Sequence, residues 1–326
     1  MHVLDGERPA SERRGAGDVA ARALGALAER DVSLAPFTTY KVGGAAEVFV
    51  RARSIDDLDL VADAAAASAL PVLVVGRGSN LLVSDVGFAG IAVSITEINE
   101  IADQIDIDSD SSQVVAGSGV LLPVLARRTV AAGLTGFEWA VGVPGTVGGA
   151  VKMNAGGHGS DMSAALVDVV LWDLAGAAGE RSRTLPADRL GLRFRASELP
   201  DSAVVLTARL QLAPGDREAG ERELSDIVAW RRANQPGGQN AGSVFVNPVP
   251  GEVSAGALID SIGLRGHRVG TACVSAKHAN FIQADPDGCA ADVVAVMREV
   301  RARVLAETGF ALRSEIRLVG FEALWD

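Results

Sequence analysis

Residues 136–159 read GFEWAVGVPGTVGGAVKMNAGGHG, and glycine recurs throughout this stretch. Glycine lowers the stability of helices and strands, so this many glycines predict a backbone that approaches another molecule closely, not a packed helix or strand. Apolar residues lie between the glycines, which disfavours a disordered linker and suits contact with a flat apolar ring. Lys152 and Asn154 add a charge and a neutral hydrogen-bonding group. The stretch therefore predicts a loop that binds a large nucleotide.

A second loop of the same character precedes it, because residues 74–83 read VVGRGSNLLV. Glycines let consecutive N–H groups point at one anion, and Ser79 and Asn80 add side-chain donors. A dinucleotide pyrophosphate is the expected ligand, and a tight turn without a ligand is the alternative. A Rossmann fingerprint requires a third glycine three residues after Gly78, but that position is Leu81 and no helix-forming run follows. The Rossmann fold is therefore disfavoured.

Strands and helices alternate around these two loops. One helix is predicted to begin after Ser54, where Asp57 completes a capping box, and another at 121–132 is ended by Gly133. The hydrophobic patterns further predict strands at 46–50, 71–76, 91–95, 112–117, 165–176, 202–212 and 314–321, and a long helix at 290–309 that is ended by Gly309.

The predicted organisation is α/β to α+β in three parts. Residues 1–30 form a polar, Ala/Arg-rich leader with one helix at 21–30, and two larger parts cover 31–214 and 215–326. The run 213–221 contains proline, glycine and charged residues between a strand and a helix, which is typical of a linker.

Composition describes an acidic chain of 326 residues, 48% apolar, with a net charge of −11. This length is enough for two or three domains. No run approaches the roughly eighteen consecutive apolar residues of a transmembrane helix, and the N-terminus lacks a signal-peptide core, so we expect no membrane association and a cytoplasmic location. The net negative charge argues against binding to a nucleic-acid backbone, which needs a basic surface. A local glycine-rich loop can still bind the diphosphate of one nucleotide.

Cysteines and lysines are few, and their placement is informative. Cys273 and Cys289 form no CxxC pair and have no histidine at ligand spacing, so we expect neither a metal site nor a disulfide. Lys41, Lys152 and Lys277 are the only lysines, and each lies beside a glycine-rich or Asn/His-containing segment. Each lysine is therefore a candidate site residue.

Two segments supply candidate ionic groups. In the run LRFRASEL, Arg193, Arg195 and Ser197 occupy alternate positions and would share one face of an extended chain; a solvated edge is the alternative. Glu315 interrupts the apolar terminal strand, either as a functional carboxylate or as the partner of Arg317 in a salt bridge.

Two other segments supply neutral polar groups and one ionisable pair. Residues 234–248, NQPGGQNAGSVFVNP, place Ser243 and Asn247 among glycines. Ser243 does not lie in a GxSxG elbow, so a triad serine hydrolase is not indicated. The run VSAKHANFIQ places Lys277 and His278 before a strand, where both could bind a ligand. The alternative is that His278 makes its hydrogen bonds within the protein core.

In their order along the chain, these motifs resemble the UDP-N-acetylenolpyruvoylglucosamine reductases, over roughly residues 36–321. Any one motif is weak, whereas the ordered set is specific. The segments that carry the resemblance are FTTYKVGG (37–44), GRGSNLL (76–82), GVPGTVGGAVKMNAG (142–156), AGSVFVNP (241–248), KHANF (277–281) and EIRLVG (315–320).

The resemblance implies an FAD-binding domain of the vanillyl-alcohol-oxidase (PCMH) type, followed by a C-terminal α+β domain that closes over a UDP-sugar. It implies that hydride from NADPH reaches the enolpyruvyl ether of the UDP-sugar through FAD, which makes the muramic acid precursor of the bacterial cell wall. Metal and nucleic acid have no part in that expectation.

The resemblance also implies roles for residues at matching positions. Arg195 stabilises the negative charge that develops on the substrate, Ser243 donates the proton and Glu315 assists. Substrate contacts are expected from Asn247, Lys277 and His278. The residues expected to hold FAD are Gly76, Arg77, Gly78, Ser79, Asn80, Leu81, Gly142, Pro144, Gly145, Gly148, Gly149, Asn154 and Gly156.

Three features depart from the family pattern. Phe194 stands where a tyrosine is usual, Val246 stands where a lysine is common, and Tyr40 is the only tyrosine in the chain. The chain therefore fits the subclass that has no substrate-clamping tyrosine. Two alternatives stay open: a paralogue that acts on another substrate, and a non-catalytic flavin-binding protein. The presence of all three catalytic candidates argues against the second.

Overall fold

The structure is a computed structural model that describes residues 10–321, so the first nine residues of the predicted leader lie outside the described range. No helix in that range is long and apolar enough to cross a membrane. The helices are α1 (Ala10–Leu24), α2 (Ile55–Ser68), α3 (Leu122–Ala131), α4 (Val147–Met153), α5 (Arg217–Asn234), α6 (Ala255–Ser261) and α7 (Ala290–Thr308). The strands are β1 (Glu29–Ser33), β2 (Ala45–Arg51), β3 (Val72–Val75), β4 (Leu81–Val83), β5 (Phe88–Ser94), β6 (Ile105–Asp108), β7 (Gln113–Gly117), β8 (Leu134–Thr135), β9 (Gly156–Gly157), β10 (Ser160–Asp161), β11 (Leu166–Asp173), β12 (Ser182–Pro186), β13 (Ala203–Gln211), β14 (Ala213–Pro214), β15 (Arg268–Val269), β16 (Ala272–Val274), β17 (Ile282–Ala284) and β18 (Arg317–Val319).

The first layer is a four-stranded sheet in the order β1-β2-β5-β3, in which β2, β5 and β3 are parallel and β1 is an antiparallel edge strand. Helix α2 packs on it through Leu58 and Val61. The start of α2 confirms the predicted capping box. The Asp57 N–H donates to Ser54 Oγ at 3.2 Å, and the Ser54 N–H donates to Asp57 Oδ2 at 3.1 Å.

The second layer is a five-stranded antiparallel sheet in the order β12-β11-β13-β7-β6. Helices α3, α4 and α5 pack against one face of this sheet and share a hydrophobic core with it. Val169 and Leu171 of β11 belong to that core. Helix α3 begins at Leu122 with Pro123 in its first turn, where the missing proline N–H would have no intrahelical acceptor. This layer supplies the rigid support for the longer glycine-rich stretch.

Helix α4 lies inside that stretch, so the prediction that residues 136–159 form no packed helix was wrong. Gly148 is needed because a Cβ there would lie 2.8 Å from the Cβ of Ser118. Thr146 caps the helix by accepting the Gly149 N–H at 3.5 Å. Some of the glycines therefore serve close packing of a short helix, and only the others are left for ligand contact.

The third part is the three-stranded antiparallel sheet β15-β16-β17 with helices α6 and α7. The inner face of α7 buries Val293, Met297 and Val300 in one core with this sheet. The helix ends at Gly309, whose positive φ of 77° is the left-handed cap that the sequence predicted.

The chain then returns to the first part of the molecule. Strand β18 pairs in parallel with β4, directly after the loop of residues 76–80. Asp85, just beyond β4, accepts the N–H groups of Ala290 and Ala291 at 2.8 Å each and so caps the start of α7. Residues close to the C-terminus are therefore fixed against the first glycine-rich loop.

The observed elements change two details of the predicted organisation. The leader helix is α1, which ends at Leu24 and buries Ala16, Ala20 and Leu24 against the first layer, so the helix expected at 21–30 is misplaced. The terminal strand is shorter than predicted, and Glu315 precedes it instead of lying within it. The division at residues 30 and 214 stays a prediction.

Replacing Asp85 with alanine removes the carboxylate that caps α7 from another part of the chain. We expect Asp85→Ala to lower the free energy of unfolding by about 0.5–2 kcal/mol, the usual effect of losing an N-terminal cap. Urea denaturation followed by circular dichroism measures this change, with the exposed Asp103→Ala as control. Equal stability of both variants would show that the cap contributes nothing.

Candidate active site

A cavity of about 470 Å³ lies between the two glycine-rich loops, and its volume is usual for a ligand pocket. Arg195, Ser243 and Glu315, which come from three distant segments, all line it. The structure thus brings together the three catalytic candidates and most of the expected FAD contacts. Those contacts are Gly76, Arg77, Gly78, Ser79, Asn80, Leu81, Gly142, Pro144, Gly145, Gly149 and Gly156.

The wall of this cavity has room for a large ligand. A Cβ placed on Gly237 would meet no atom within 4 Å, and one on Gly149 would approach only Thr146 Oγ1, at 3.7 Å. No neighbouring protein atom therefore requires glycine at these two lining positions. Thr39 also lines the cavity, and its buried Oγ1 has no hydrogen-bond partner within residues 10–321. Buried hydroxyls normally have one, so the wall fits a ligand that carries polar groups.

The charge of the lining residues also fits a dinucleotide. Five basic side chains and one acidic side chain, Glu315, line the cavity, although the whole chain carries a net charge of −11. Guanidinium and ammonium groups form strong, charge-assisted hydrogen bonds with phosphate oxygens. The residues present therefore fit FAD. The basic residues are Arg77, Lys152, Arg195, Arg231 and Arg317.

Arg231 is a site residue that sequence analysis missed. It lies in the last turn of α5, where its Nη1 donates to the carbonyl of Gly142 and its Nε donates to Gln235 Oε1 at 2.8 Å. Burial lowers the pKa of Arg231, although an arginine stays charged in proteins. The sequence signal was present in the run WRRAN before the NQPGG turn, but two adjacent arginines on a helix resemble a solvated face.

Glu315 is the point at which the distant segments meet. Its carboxylate Oε1 accepts a hydrogen bond from Arg195 Nε at 2.8 Å. Its N–H donates to the carbonyl of Val244 at 2.7 Å, and its own carbonyl accepts from Asn80 Nδ2 at 3.1 Å. The expected alternative, a salt bridge from Glu315 to Arg317, is not what the structure contains, because Arg317 pairs with Asp201.

The electrostatic state of Glu315 follows from its burial. Its side chain is 14% exposed, and desolvation raises the pKa of this carboxyl above its ordinary value. The Arg195 guanidinium opposes this shift by charge and by its hydrogen bond. The pair is therefore a partly buried ion pair whose carboxylate is costly to keep ionised without its arginine.

Arg195 lies in a tight turn, so the expected extended conformation of this segment is wrong. The backbone groups of Arg193 and Ala196 exchange both hydrogen bonds, each at 3.0 Å. Arg195 has a φ of +54°, a left-handed conformation that costs about 1–2 kcal/mol for a residue with a side chain. The turn directs Arg195 to Glu315, whereas Arg193 reaches Glu198 at 3.3 Å and Ser197 donates to the carbonyl of Lys152 at 2.7 Å.

Ser243 is placed beside Glu315 by backbone pairing. The next residues, Val244 and Val246, bond to the backbone of Glu315 and Arg313 at 2.7 and 2.9 Å. Ser243 lines the cavity and is half-buried. The backbone that follows Ser243 is thus fixed by the same pairing that positions Glu315.

A second cavity, of about 1220 Å³, adjoins the first. The residues common to both walls mark their junction and include the Arg195–Glu315 pair. A ligand in either cavity would therefore meet that pair. The shared residues are Lys152, Met153, Arg195, Glu315 and Arg317.

Asp201 organises the other charges at this junction. It lies 3.2 Å from Lys152 Nζ and 2.9 Å from Arg317 Nη2. Lys152 Nζ also donates to the carbonyls of Leu199 and Pro200. Burial lowers the pKa of Lys152, while Asp201 acts in the opposite direction. These contacts fix the loop after Arg195 against the end of α4.

Two expected FAD contacts do not reach the described cavity walls. Gly148 packs against Ser118, as described above. The side chain of Asn154 is fully engaged inside the protein, since its Nδ2 donates to Asp161 Oδ2 at 3.1 Å and its Oδ1 accepts the Ser163 N–H at 2.9 Å. A further bond from Nδ2 to the carbonyl of Arg193, at 3.3 Å, supports the turn that carries Arg195.

The three residues expected to contact substrate are also absent from the described walls of both cavities. Asn247 Oδ1 accepts the Ala255 N–H at 3.0 Å, at the start of α6. Lys277 Nζ donates to a backbone carbonyl of α5. His278 Nδ1 accepts the Asn280 N–H at 3.2 Å, and burial lowers the pKa of this histidine. The described hydrogen bonds of all three side chains are therefore to the backbone of the protein itself, and their contact with substrate stays a prediction.

No cluster of three or more His, Cys, Asp or Glu side chains suited to a metal ion occurs within residues 10–321.

Comparison with known protein families assigns both large parts of the chain. Residues 46–179 match the FAD binding domain model, and residues 234–319 match the model of the UDP-N-acetylenolpyruvoylglucosamine reductase C-terminal domain. The expected fold class, an FAD-binding domain followed by the C-terminal domain of these reductases, is confirmed.

Individual relatives agree with this assignment. UDP-N-acetylenolpyruvoylglucosamine reductase from Gloeobacter violaceus is 42% identical over 297 residues, which is 90% of this chain and 97% of the relative. The protein of that name from Heliobacterium modesticaldum is 42% identical, covering 87% of this chain and 88% of the relative. The crystal structure of the Thermus caldophilus reductase aligns with a TM-score of 0.74 at 33% identity, over 90% of this chain and 98% of that one. The chain therefore belongs to the UDP-N-acetylenolpyruvoylglucosamine reductase family.

Proposed function

We propose that this chain reduces UDP-N-acetylenolpyruvoylglucosamine to UDP-N-acetylmuramate with electrons from NADPH, using bound FAD. The observation that carries the proposal is the meeting of Arg195, Ser243 and Glu315 at a basic, glycine-walled cavity. The product is a peptidoglycan precursor, which connects the enzyme with cell-wall growth, cell shape and division. Because NADPH and UDP-sugars are cytoplasmic metabolites, we place the reaction in the cytoplasm.

The two glycine-rich loops, at residues 76–81 and 142–156, would hold the cofactor. When bound, FAD supplies two-electron transfer between NADPH and the terminal alkene carbon of the enolpyruvyl group. The protein supplies position and charge. Asn80 holds the backbone of Glu315, so the loop that contacts FAD also sets the place of the carboxylate.

Arg195 is assigned to the charge that develops on the substrate. Hydride addition to the terminal carbon leaves negative charge on the neighbouring carbon and its carboxylate. Glu315 already orients the Arg195 guanidinium, so the side chain can stabilise that negative charge without changing its position. An oxyanion hole acts in the same way. Donors of this kind are typically worth about 3–4 kcal/mol in the transition state.

Ser243 is assigned to the proton that completes the reduction. A serine hydroxyl is a weak acid in water, so it can protonate only a strongly basic carbon in a site that excludes solvent. Ser243 is half-buried in the cavity wall, so bound cofactor and substrate would cover its hydroxyl and exclude water. Glu315 completes the group by holding Arg195 and by lining the same wall.

The paralogue alternative draws no support from the contact between Arg195 and Glu315. Phe194 and Val246, the two departures from the family pattern, line the second cavity, and neither lines the first. They leave the contact between Arg195 and Glu315 intact. We therefore retain the reductase with its full activity as the proposed function.

Purified protein with FAD is expected to lose its flavin absorbance when NADPH is added without oxygen. Addition of UDP-N-acetylenolpyruvoylglucosamine should then restore the absorbance, because the enol ether accepts the electrons. Stopped-flow absorbance spectroscopy measures both steps. Bleaching without recovery would indicate the paralogue, and no bleaching would indicate a binding protein.

Ser243→Ala should separate the two half-reactions. Bleaching by NADPH should persist, whereas recovery with the enol ether should slow by about 10²–10⁴-fold, the range for a lost proton donor. Ser225→Ala, on the exposed face of α5, is the control and should leave both rates unchanged. An equal fall in both rates for Ser243→Ala would refute the proton-donor assignment.

Glu315→Gln tests the raised pKa of the buried carboxyl. The folded protein binds this proton more tightly than the unfolded chain, so the stability that it contributes is complete below the ordinary carboxyl pKa of 4.5 and is lost as pH rises through the raised value. Glutamine cannot titrate. The unfolding free energy of Glu315→Gln minus that of wild type should therefore increase with pH, as measured by urea denaturation between about pH 4 and pH 8. A constant or decreasing difference would contradict the assignment.

A further inference from the structure

Phe194 and Arg195, adjacent residues of the turn at 193–196, contact each other through their side chains. The Cζ atom of Arg195 lies over the Phe194 ring, 5.0 Å from the ring centroid, which is within the range of a cation–π interaction. We propose that Phe194 is a positioning residue for Arg195, whose guanidinium is oriented by this ring and the Glu315 carboxylate together. The inference rests on the proposed function, since it adds a residue to that reaction.

The conformation of the turn makes this contact possible. In an extended strand, the side chains of adjacent residues point to opposite faces. Here the backbones of Arg193 and Ala196 exchange two hydrogen bonds, and Arg195 has a φ of +54°. The side chains of Phe194 and Arg195 can therefore meet, and both line the second cavity.

The turn is also anchored on both sides of these two residues. Asn154 Nδ2 donates to the carbonyl of Arg193 at 3.3 Å, and Ser197 Oγ donates to the carbonyl of Lys152 at 2.7 Å. Both hydrogen bonds connect the turn to the end of α4. A ring on an anchored turn can orient a neighbouring guanidinium, whereas a ring on a free loop would move with it.

The hydrogen bond to Glu315 alone leaves the guanidinium one rotation. Within residues 10–321, Nε is the only side-chain group of Arg195 that donates a hydrogen bond, to Glu315 Oε1 at 2.8 Å. This bond fixes the nitrogen, but the guanidinium plane can still turn about the N–H···O axis. The face of an aromatic ring attracts positive charge and so restricts that turn. The two contacts together fix the direction of the terminal nitrogens of Arg195.

Packing in a hydrophobic core does not account for the position of the ring. Phe194 is 54% exposed, and none of the four hydrophobic cores within residues 10–321 includes it. The hydrophobic effect is proportional to the apolar area that is buried, so it holds this ring only weakly. Removal of the ring should therefore leave the fold intact and change the orientation of Arg195.

The step that involves the UDP-sugar is the one in which this contact should matter. Arg195 is assigned to the negative charge that develops when the enolpyruvyl group accepts hydride, and no such charge arises on the substrate while NADPH reacts. Bound UDP-sugar would also cover the junction of the two cavities and exclude water from the ring and the guanidinium. Desolvation strengthens a cation–π interaction. We therefore expect Phe194 to affect reoxidation of the flavin but not its reduction.

Stopped-flow absorbance of the FAD-loaded protein tests the inference. In Phe194→Leu, recovery of the flavin absorbance with UDP-N-acetylenolpyruvoylglucosamine should slow about two- to fivefold, the effect of losing a cation–π contact, while bleaching by NADPH keeps its rate. Phe194→Tyr retains an aromatic ring and should keep the wild-type rate of recovery. Leu305→Ala, which shortens an exposed apolar side chain of α7 outside both cavity walls, is the control and should leave both rates unchanged.

A second background shows whether the ring acts through Arg195. Arg195→Gln removes the positive charge, so adding Phe194→Leu to it should slow reoxidation no further. The same slowing with and without Arg195 would overturn the inference, because the ring would then act on the substrate itself. Wild-type reoxidation in Phe194→Leu, or an equal fall in both half-reactions, would also overturn it. Failure of the wild type to reoxidise with the UDP-sugar would instead refute the proposed function.

Discussion

The hydrogen-bonded ion pair between Arg195 and Glu315 is the interaction on which the site depends. It joins residues 120 positions apart in the sequence. Burial alone would favour a neutral carboxyl, and the arginine keeps the charged form accessible. The backbone of Glu315 is at the same time bonded to Val244 and Asn80, so the first glycine-rich loop and the segment that carries Ser243 are both fixed by this one residue. Loss of this arrangement would affect every part of the site at once.

Two features of the site are unfavourable for the stability of the folded chain. The glycines at 149 and 237 give up side chains that their surroundings would tolerate, and Arg195 adopts a left-handed backbone conformation. Conformations of this kind persist where surrounding contacts fix them, and the Asn154 bond to the carbonyl of Arg193 is one such contact. The basic cavities concentrate positive charge within an acidic molecule, which favours anionic ligands locally without making the surface basic.

Sequence reasoning located the loops and the catalytic candidates because glycine patterns and ordered motifs are local signals. It also placed the α2 capping box and the end of α7 correctly, since caps depend on neighbouring residues. It could not foresee the features that depend on tertiary contacts. Gly148 and Asn154 are glycine-loop residues used for internal packing and bonding, and Arg231 is a helix residue that faces the cavity. No pattern within one segment distinguishes these cases.

The pairing of β18 with β4 has a consequence for how the enzyme is made. The last described strand, residues 317–319, completes a sheet begun at residues 81–83, and Glu315 enters the site just before it. During synthesis on a ribosome, the chain must therefore emerge at least as far as residue 319 before Arg195, Ser243 and Glu315 can come together. Until then the early domain exposes an unpaired strand edge, a period in which a molecular chaperone would have its greatest effect.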